Sequence, residues 1–344
     1  MLKRAHWPIL MLTLALAGCG GGGGGGGTPA PTPGTGGTSN SNVTTIAPGA
    51  GTASSTSTSA SSGGTSSGST TATGQPINVS GFSYPQGLAV SGSTLYVANT
   101  NGQSISVITL TPPNYPKTSF SLNYATGALP LTQPTGLVVS NQGTTLYVAN
   151  WSSAGSSGGQ TGPGFIDAVD IATGNVTLLA KGLNNPDGLA LSADGNSLFV
   201  ANHGSNDVLQ ISTTGGTTIA TYSYPASSAI YPWSVYADSS YVYATNSNGT
   251  VSKWAIVPSG TPSSPPTTVA TLASPAGITG ANGYLYVADY QAEAINKIDL
   301  TSATPTVVAT VSVYPRQPFF LAHDNTYLYF TDGNSGSVNA IPLP

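Results

Sequence analysis

From residue 76 onward, short runs of alternating apolar and polar residues recur at a regular interval along the chain. A run such as LAVSG or LALSA is followed by a turn rich in Gly, Asn and Asp, and then by an aromatic run. Two further runs follow in most units, for example DVLQIS and TTIATYS. A period of two is typical of β-strands, and the polar interruptions are typical of turns. The pattern therefore predicts an all-β domain built from units of four short strands.

The aromatic run is the clearest marker of each unit, because it closes on Asn or Asp every time. The closing residues are Asn99, Asn150, Asn202, Asn246, Asp289 and Asp332. They are separated by 51, 52, 44, 43 and 43 residues. A second marker begins with a proline 11 or 13 residues before the aromatic residue at the third position of this run, such as Tyr96 in TLYVAN. We call this three-residue marker the lead segment. The lead segments are Pro85–Gly87, Pro134–Gly136, Pro186–Gly188, Pro232–Ser234, Pro275–Gly277 and Pro318–Phe320.

Four short strands in about 43 residues, repeated in register, predict the blades of a β-propeller. The sixth unit ends after its third run, and a strand-like run at Pro76–Tyr84 precedes the first lead segment. A ring of blades has an open seam unless its ends meet. We therefore expect a six-bladed propeller over residues 76–344, closed by an N-terminal strand that completes the last blade.

The P-x-G-L-x-V start of a unit, the LYVAN or LYVAD strand and the Val- and Ile-rich third run resemble NHL-type and YVTN-type propeller repeats. The run SLFVANHGSNDVLQIS is close to a YVTN unit. The resemblance spans the repeat region and implies the architecture. It does not imply one function, because such propellers host many.

The N-terminal sequence predicts export. Lys3 and Arg4 precede an apolar stretch, Pro8–Leu16, which is too short to cross a bilayer comfortably. The sequence LAGC at Leu16–Cys19 resembles a bacterial lipobox, which implies a signal peptide of residues 1–18 and diacylglycerol on Cys19. Cys19 is the only cysteine in the chain, which favours this interpretation over an ordinary signal peptide. Gly20 in place of Asp favours anchoring in the outer membrane, facing the periplasm or the cell surface.

Residues 19–75 are the lipidated Cys19 and a Gly-, Ser- and Thr-rich segment with hardly any large apolar side chain. Such a segment buries too little surface to offset its ordering entropy, so we expect a disordered tether. Only 5% of the chain is charged and the net charge is -4, so no basic surface for nucleic acid is expected.

The closing Asn and Asp residues have two interpretations. Each side chain can accept from nearby backbone N–H groups and hold the turn into the third strand, or the six together can form a ring of cation ligands. A single cation site would not require the same residue in all six blades, whereas each blade has a turn at this position. The repetition therefore favours the structural turn.

Enzymatic chemistry has few candidate residues. In the related gluconolactonase-like propellers, Glu, Asn and Asp at the middle of the lead segments hold a divalent metal. Here those positions are Gln86, Thr135, Asp187, Trp233, Ala276 and Phe319, so only Asp187 matches and no metal or cofactor is expected. His203, directly after Asn202, is the other catalytic candidate. Together they keep open an alternative function as a lyase-like or lactonase-like propeller enzyme.

Aromatic residues cluster on the face that should carry the lead segments. Trp151 and Tyr290 follow closing residues, and Trp233 and Phe319 lie within lead segments. Amphipathic rings with few charges among them suit a binding surface for protein, peptide or glycan, or else they pack the central opening. The sequence thus predicts a non-catalytic binding or scaffold module at the cell envelope, with the enzyme as its alternative.

Overall fold

The computed structural model describes residues 44–46, 77–152, 163–225 and 228–344. The predicted signal peptide, Cys19 and most of the predicted tether lie outside the described residues. The helix found within the described ranges is a 3-10 turn at His203–Ser205. No helix in this part of the chain is long and apolar enough to cross a membrane.

The described strands form six sheets, which we call blades one to six and number along the chain. Each blade has four antiparallel strands, and the prediction of a six-bladed β-propeller is confirmed. The strands of blades one to three are Pro85–Ser91, Thr94–Asn99, Ser104–Thr109 and Lys117–Ser119; Pro134–Val139, Thr145–Asn150, Gly164–Asp170 and Asn175–Leu183; Pro186–Leu191, Ser197–Asn202, Asp207–Ser212 and Thr218–Ser223. Those of blades four to six are Pro232–Ala237, Tyr241–Asn246, Thr250–Ala255 and Thr267–Thr271; Pro275–Ala281, Tyr284–Asp289, Ala294–Asp299 and Thr306–Ser312; Pro318–His323, Tyr327–Asp332, Ser337–Pro342 and Asn78–Ser80.

The first strand of every blade contacts the first strand of the next, and the first strand of blade six contacts that of blade one. The first strands therefore line the central axis of a closed ring. Each fourth strand lies at the outer rim, beyond the third.

The ring is closed by the N-terminal strand, as the sequence predicts. Asn78–Ser80 pairs antiparallel with Ser337–Pro342 and supplies the outer strand of blade six. On either side of it, Ile77 and Phe82 are buried in the core between blades six and one. Residues from the two ends of the domain thus share one sheet.

Two blades carry a fifth strand that the sequence pattern does not predict. The run Thr118–Tyr124 reads as one strand, but it is divided between two blades. Lys117–Ser119 is the outer strand of blade one, whereas Asn123–Tyr124 pairs in parallel with the outer strand of blade two. In the same way, Thr44–Ile46 pairs in parallel with the outer strand of blade five.

The core consists of six apolar clusters, one at each junction between neighbouring blades. Alternate residues of a second strand enter different clusters: Leu95 and Val97 face blade six, while Tyr96 and Ala98 face blade two. Both faces of the strand are therefore buried, which explains why its sequence is apolar throughout rather than alternating.

The lead-segment glycine is required by the close approach of neighbouring blades. A Cβ atom on Gly87 would lie 2.0 Å from the carbonyl oxygen of Thr135, and one on Gly136 would lie 2.3 Å from that of Asp187. Blades one, two, three and five have this glycine, and each has Ala before its closing Asn or Asp.

Blades four and six have Ser234 and Phe320 at the glycine position, and both have Thr before the closing residue. The hydroxyl of Thr331 donates to the carbonyl of Gln86 in blade one (2.9 Å) and accepts from the backbone N–H of Phe320 (3.0 Å). Thr245 makes the same pair of contacts, with Ala276 and Ser234. A threonine hydroxyl thus bridges the two blades where the glycine contact is missing.

Candidate functional site

The lead segments and the closing residues lie at the same end of the blades, which we call the upper face. In every blade the lead proline is opposite the closing Asn or Asp in the register of the first two strands. The loops before each first strand and after each second strand therefore meet there. This places the four predicted aromatic binding residues, Asp187 and His203 on one face.

The closing residues are buried and hold the loops of this face. In blades one, two, three and five, their side-chain oxygen accepts from the backbone N–H of the loop before the blade's own first strand. Asp332 instead accepts from Asn334 and Ser335, two and three residues further on, which is an Asx-type turn. Asn246 accepts from the hydroxyl of Tyr224.

The four closing asparagines also use their N–H groups, which an aspartate lacks. Asn99 donates to Ser106 (2.9 Å), Asn246 donates to Ser252 (2.9 Å), and Asn202 donates to the carboxylate of Asp207 (2.9 Å). These bonds tie the second strand to the third. Each described closing side chain is thus engaged by its own blade, and no group of three His, Cys, Asp or Glu able to hold a metal occurs within the described ranges.

His203 lies within a group of aromatic rings, which we call the aromatic stack. Its ring centroid is 3.9 Å from that of Trp233, with the planes 30° apart, and 5.3 Å from that of Trp151. Tyr231 is the fourth ring, at 5.4 Å. The stack brings together residues of blades two, three and four. Its members are far apart in the sequence, so the sequence pattern does not predict that His203 lies among them.

The surroundings of His203 keep its ring uncharged at neutral pH. Burial lowers its pKa to about 4, against a smaller opposing effect of the backbone carbonyl of Pro232. Nδ1 lies 3.1 Å from that carbonyl oxygen and donates to it in the neutral ring. Nε2 is then the free acceptor, since it has no hydrogen-bond partner among the described residues.

The other two predicted binding residues form a separate group. The ring centroids of Tyr290 and Phe319 are 5.9 Å apart in an edge-on arrangement, and Phe319 also contacts Phe320. The hydroxyl of Tyr290 accepts from Asn334 (3.0 Å). Trp151, Trp233, Tyr290 and Phe319 are all half-buried. They lie in two separate clusters, one formed by blades two to four and the other by blades five and six.

Asp187 is almost fully buried, and its Oδ1 has no hydrogen-bond partner within the described part of the chain. Burial raises the pKa of its carboxyl well above the usual range. No hydrogen bond joins Asp187 to His203 in the described ranges, so the two catalytic candidates share a blade but form no dyad.

Gln86, Tyr84 and Asp167 also belong to this face, and of the three only Asp167 has no mark in the sequence pattern. Gln86 and Asp167 are buried, and Oε1 of Gln86 and Oδ1 of Asp167 have no hydrogen-bond partner among the described residues, whereas Oδ2 of Asp167 accepts from the closing residue Asn150 (3.1 Å). Tyr84 has a φ of 55° immediately before Pro85. Gln133, Asn185 and Tyr231 share this left-handed conformation before their lead prolines. Such conformations are uncommon for non-glycine residues, and they direct these side chains out of the strand path.

A cavity of about 530 Å³ opens on the upper face between blades three and four. Most of its lining residues are small or carry a hydroxyl group, and one of its two tyrosines, Tyr231, belongs to the aromatic stack. Its lining residues include Gly204, Ser205, Asn206, Tyr224, Ser228 and Tyr231.

Comparison with solved structures gives the fold alone. The chain is similar to a virginiamycin B lyase from Staphylococcus aureus, with a TM-score of 0.54 and 14% identity over 78% of this chain and 99% of that one. It is also similar to the PQQ-bound aldose sugar dehydrogenase of Streptomyces coelicolor, with a TM-score of 0.57 and 15% identity over 78% and 98%. A hydrazine synthase from Kuenenia stuttgartiensis matches with a TM-score of 0.55 and 18% identity over 75% and 83%. No protein-family model and no curated protein matches the sequence.

Proposed function

We propose that this chain is a cell-envelope lipoprotein whose propeller binds a protein, peptide or glycan without catalysis, through the aromatic residues of its upper face. The observation that carries the proposal is the half-burial of Trp151, Trp233, Tyr290 and Phe319. Rings that packed the central opening shut would be buried as fully as Tyr222, Tyr286 and Tyr329 are in the core.

The chemistry of these rings favours binding. Each packs one side against neighbouring rings and keeps part of its surface accessible, an arrangement that presents a rigid apolar contact at low entropic cost. The lipobox-like sequence at Leu16–Cys19 supports an anchored location for this surface.

The test is the double substitution Trp151→Ala with Tyr290→Ala, which removes one ring from each cluster. A binding surface predicts a loss of unfolding free energy of about 2 kcal/mol or less in denaturant titration, because half-buried rings lose fewer contacts than core residues do. It also predicts that retention of the ligand from envelope fractions falls by a factor corresponding to about 2 kcal/mol or more.

Tyr241→Ala is the matched control, because Tyr241 is a partly exposed aromatic residue at the opposite end of blade four. It should leave ligand retention unchanged. If the rings fill the central opening instead, the double variant loses about 3–5 kcal/mol of stability per large ring. That result would refute the binding surface.

A second candidate function, a lyase-like or lactonase-like enzyme, is favoured by the neutral His203, whose Nε2 has no hydrogen-bond partner among the described residues. The fold shared with a lyase and a sugar dehydrogenase is compatible with it, but fold does not determine chemistry. Elemental analysis of the purified protein separates the two candidates. One bound Ca²⁺ or Zn²⁺ per chain would favour the enzyme, whereas ligand binding by metal-free protein favours the binding module.

A further inference from the structure

The second strands of blades four, five and six each begin with a pair of tyrosines, at the first and third positions of the strand. The pairs are Tyr241 with Tyr243, Tyr284 with Tyr286, and Tyr327 with Tyr329. These strands end on their closing residue at the upper face, so the tyrosine pairs lie at the opposite end of the blades, which we call the lower face. Alternate residues of a strand point to the same side, so the two rings of a pair are neighbours.

In blades four and five, a lysine of the third strand places its ammonium group over the first tyrosine of the pair. Nζ of Lys253 lies 4.6 Å from the ring centroid of Tyr241, and Nζ of Lys297 lies 4.0 Å from that of Tyr284. Both distances are within the range of a cation–π interaction. The chain therefore supplies a cation to two of its three tyrosine pairs.

Blade six has the tyrosine pair without the lysine. The residues opposite the second tyrosine in the strand register are Lys253 in blade four, Lys297 in blade five and Ala340 in blade six. No cation–π contact within the described ranges involves Tyr327 or Tyr329. Tyr327 is half-buried, as Tyr284 is, so part of its ring is accessible to a cation from outside the chain.

A cavity of about 170 Å³ lies beside this pair, between blades six and one, and we call it the lower cavity. Its lining residues include Ile77, Leu110, Tyr115, Tyr327, Tyr329 and Asp324. Ser93 and Thr326 also line it and are exposed, so the cavity is open to solvent. A water molecule occupies about 30 Å³ of liquid, so the lower cavity has room for a group of several non-hydrogen atoms.

Asp324 is the charged residue among those that line the lower cavity. Its Oδ1 accepts from the backbone N–H groups of Thr326 and Tyr327 (2.7 Å each), and its Oδ2 accepts from the hydroxyl of Tyr329 (2.6 Å). Burial raises the pKa of this carboxyl, but these hydrogen bonds, with a smaller contribution from His323, outweigh burial and hold the pKa below its usual value. The carboxylate is thus ionised at neutral pH, and no salt bridge joins it to a cation in the described part of the chain.

We propose that the lower cavity binds a quaternary ammonium group of another molecule, which takes the place that a lysine ammonium has in blades four and five. The aromatic rings and the carboxylate both favour a cation there. Asp324 already accepts three hydrogen bonds, of the roughly four that a carboxylate can accept. A cation that presents methyl groups rather than N–H donors therefore fits the site.

Other ions fit the lower cavity less well. Asp324 repels an anion, and a hard metal ion would find a single carboxylate where it needs several oxygen ligands. The site lies on the lower face, so it does not depend on the binding proposed for the aromatic residues of the upper face.

The test uses choline as the probe and 3,3-dimethylbutan-1-ol, which has carbon in place of the nitrogen, as an uncharged control of the same shape. Isothermal titration calorimetry on the full chain at about pH 7.5 should give a Kd on the order of 1 mM for choline, as expected for so small a ligand. The alcohol should bind at least about tenfold more weakly, because it lacks the charge that the rings and the carboxylate attract. Phosphocholine should also bind more weakly than choline, because Asp324 repels its phosphate, and this arm separates a free ammonium ion from a phospholipid headgroup.

Asp324→Asn keeps an oxygen acceptor for the turn and removes the charge, so the Kd for choline should rise about tenfold or more. Asp238→Asn is the matched control. Asp238 accepts from the backbone N–H groups of Ser240 and Tyr241 and from the hydroxyl of Tyr243 in the same way, but the ammonium of Lys253 already lies over its tyrosine pair. This control should leave the Kd for choline unchanged.

Ala340→Lys places a lysine at the register position of Lys253 and Lys297. Its ammonium should occupy the site from within the chain and abolish choline binding. Denaturant unfolding shows whether this variant is folded. If it is not, Asp324→Asn with its control decides the question alone.

Equal affinity for choline and 3,3-dimethylbutan-1-ol would overturn the proposal, as would no binding of choline at about tenfold the expected Kd. An unchanged Kd for choline in Asp324→Asn or in folded Ala340→Lys would place the bound cation outside the lower cavity. Equal weakening in Asp324→Asn and Asp238→Asn, or tighter binding of phosphocholine than of choline, would contradict the role given to Asp324.

Discussion

At the scale of the residue, one hydroxyl group replaces a missing glycine in two of the six blades. Thr245 and Thr331 bridge to the next blade where Ser234 and Phe320 stand in place of glycine. The sequence shows that the loss of glycine and the gain of threonine occur in the same two blades. Only the structure shows that the two positions are in contact. The pairing depends on contacts between neighbouring blades, and local alternation carries no information about them.

The carboxyl group of Asp167 makes stability depend on pH. Burial raises its pKa to about 7, and the hydrogen bond from Asn150 acts in the opposite direction. The unfolded value is about 3.9. Since the folded pKa is the higher one, the folded state binds the extra proton between these values. The contribution of Asp167 to stability is then fully present below about pH 4 and is lost as pH rises towards 7.

We therefore predict that Asp167→Asn flattens the dependence of stability on pH. Between about pH 4 and 7 the wild-type protein should lose up to ~1.4 kcal/mol more per pH unit than the variant. Denaturant unfolding of both proteins across this range gives the difference, which cancels the contributions of other groups such as Asp187. Parallel pH profiles for the two proteins would contradict the assignment.

At the scale of the element, the strands were predictable because each blade repeats the same two markers at the same spacing. The closing strand was predictable because blade six lacks its fourth run. The division of Thr118–Tyr124 between blades one and two was not predictable. The alternation of apolar and polar residues is continuous through this run, so it does not indicate where the chain passes from one sheet to the next.

Deletion of Ile77–Ser83 tests the closing strand. It removes the outer strand of blade six together with the buried side chains of Ile77 and Phe82. Loss of two buried apolar side chains predicts a destabilisation of about 4 kcal/mol or more, in addition to an unpaired sheet edge. Thermal unfolding measures it.

The control for this deletion is removal of residues 47–70, which contain hardly any large apolar side chain. It should shift the melting temperature little. Equal melting temperatures for the two deletion proteins would show that the N-terminal strand does not hold the ring closed.

At the scale of the whole molecule, the sequence predicted which face would carry the aromatic residues but not how they group. Trp151 and His203 lie in the loops that follow the second strands of blades two and three, and Trp233 lies at the start of the first strand of blade four, so their contacts depend on how neighbouring blades are arranged in the ring. The oxygen atoms of Gln86 and Asp187 that lack a hydrogen-bond partner among the described residues could not be predicted for the same reason. The sequence of a lead segment does not indicate which residues of other blades lie near it.

Anchoring is also a property of the whole molecule. Cys19→Ser removes the predicted acylation site, so we expect the protein to accumulate as uncleaved precursor or in soluble form. Membrane fractionation and the mass of the N-terminal segment measure this outcome. Processing and membrane association equal to those of wild type would refute the lipobox interpretation.

The pairing of Asn78–Ser80 with Ser337–Pro342 also sets the order of events during synthesis. The strand Asn78–Ser80 must wait for its partner, which leaves the ribosome about 260 residues later. At 5–20 residues per second the wait is roughly 13–50 s. For that time the strand has no partner in its own blade. Its three residues, two of them polar, make a poor template for pairing with another chain, so brevity protects the nascent protein from aggregation.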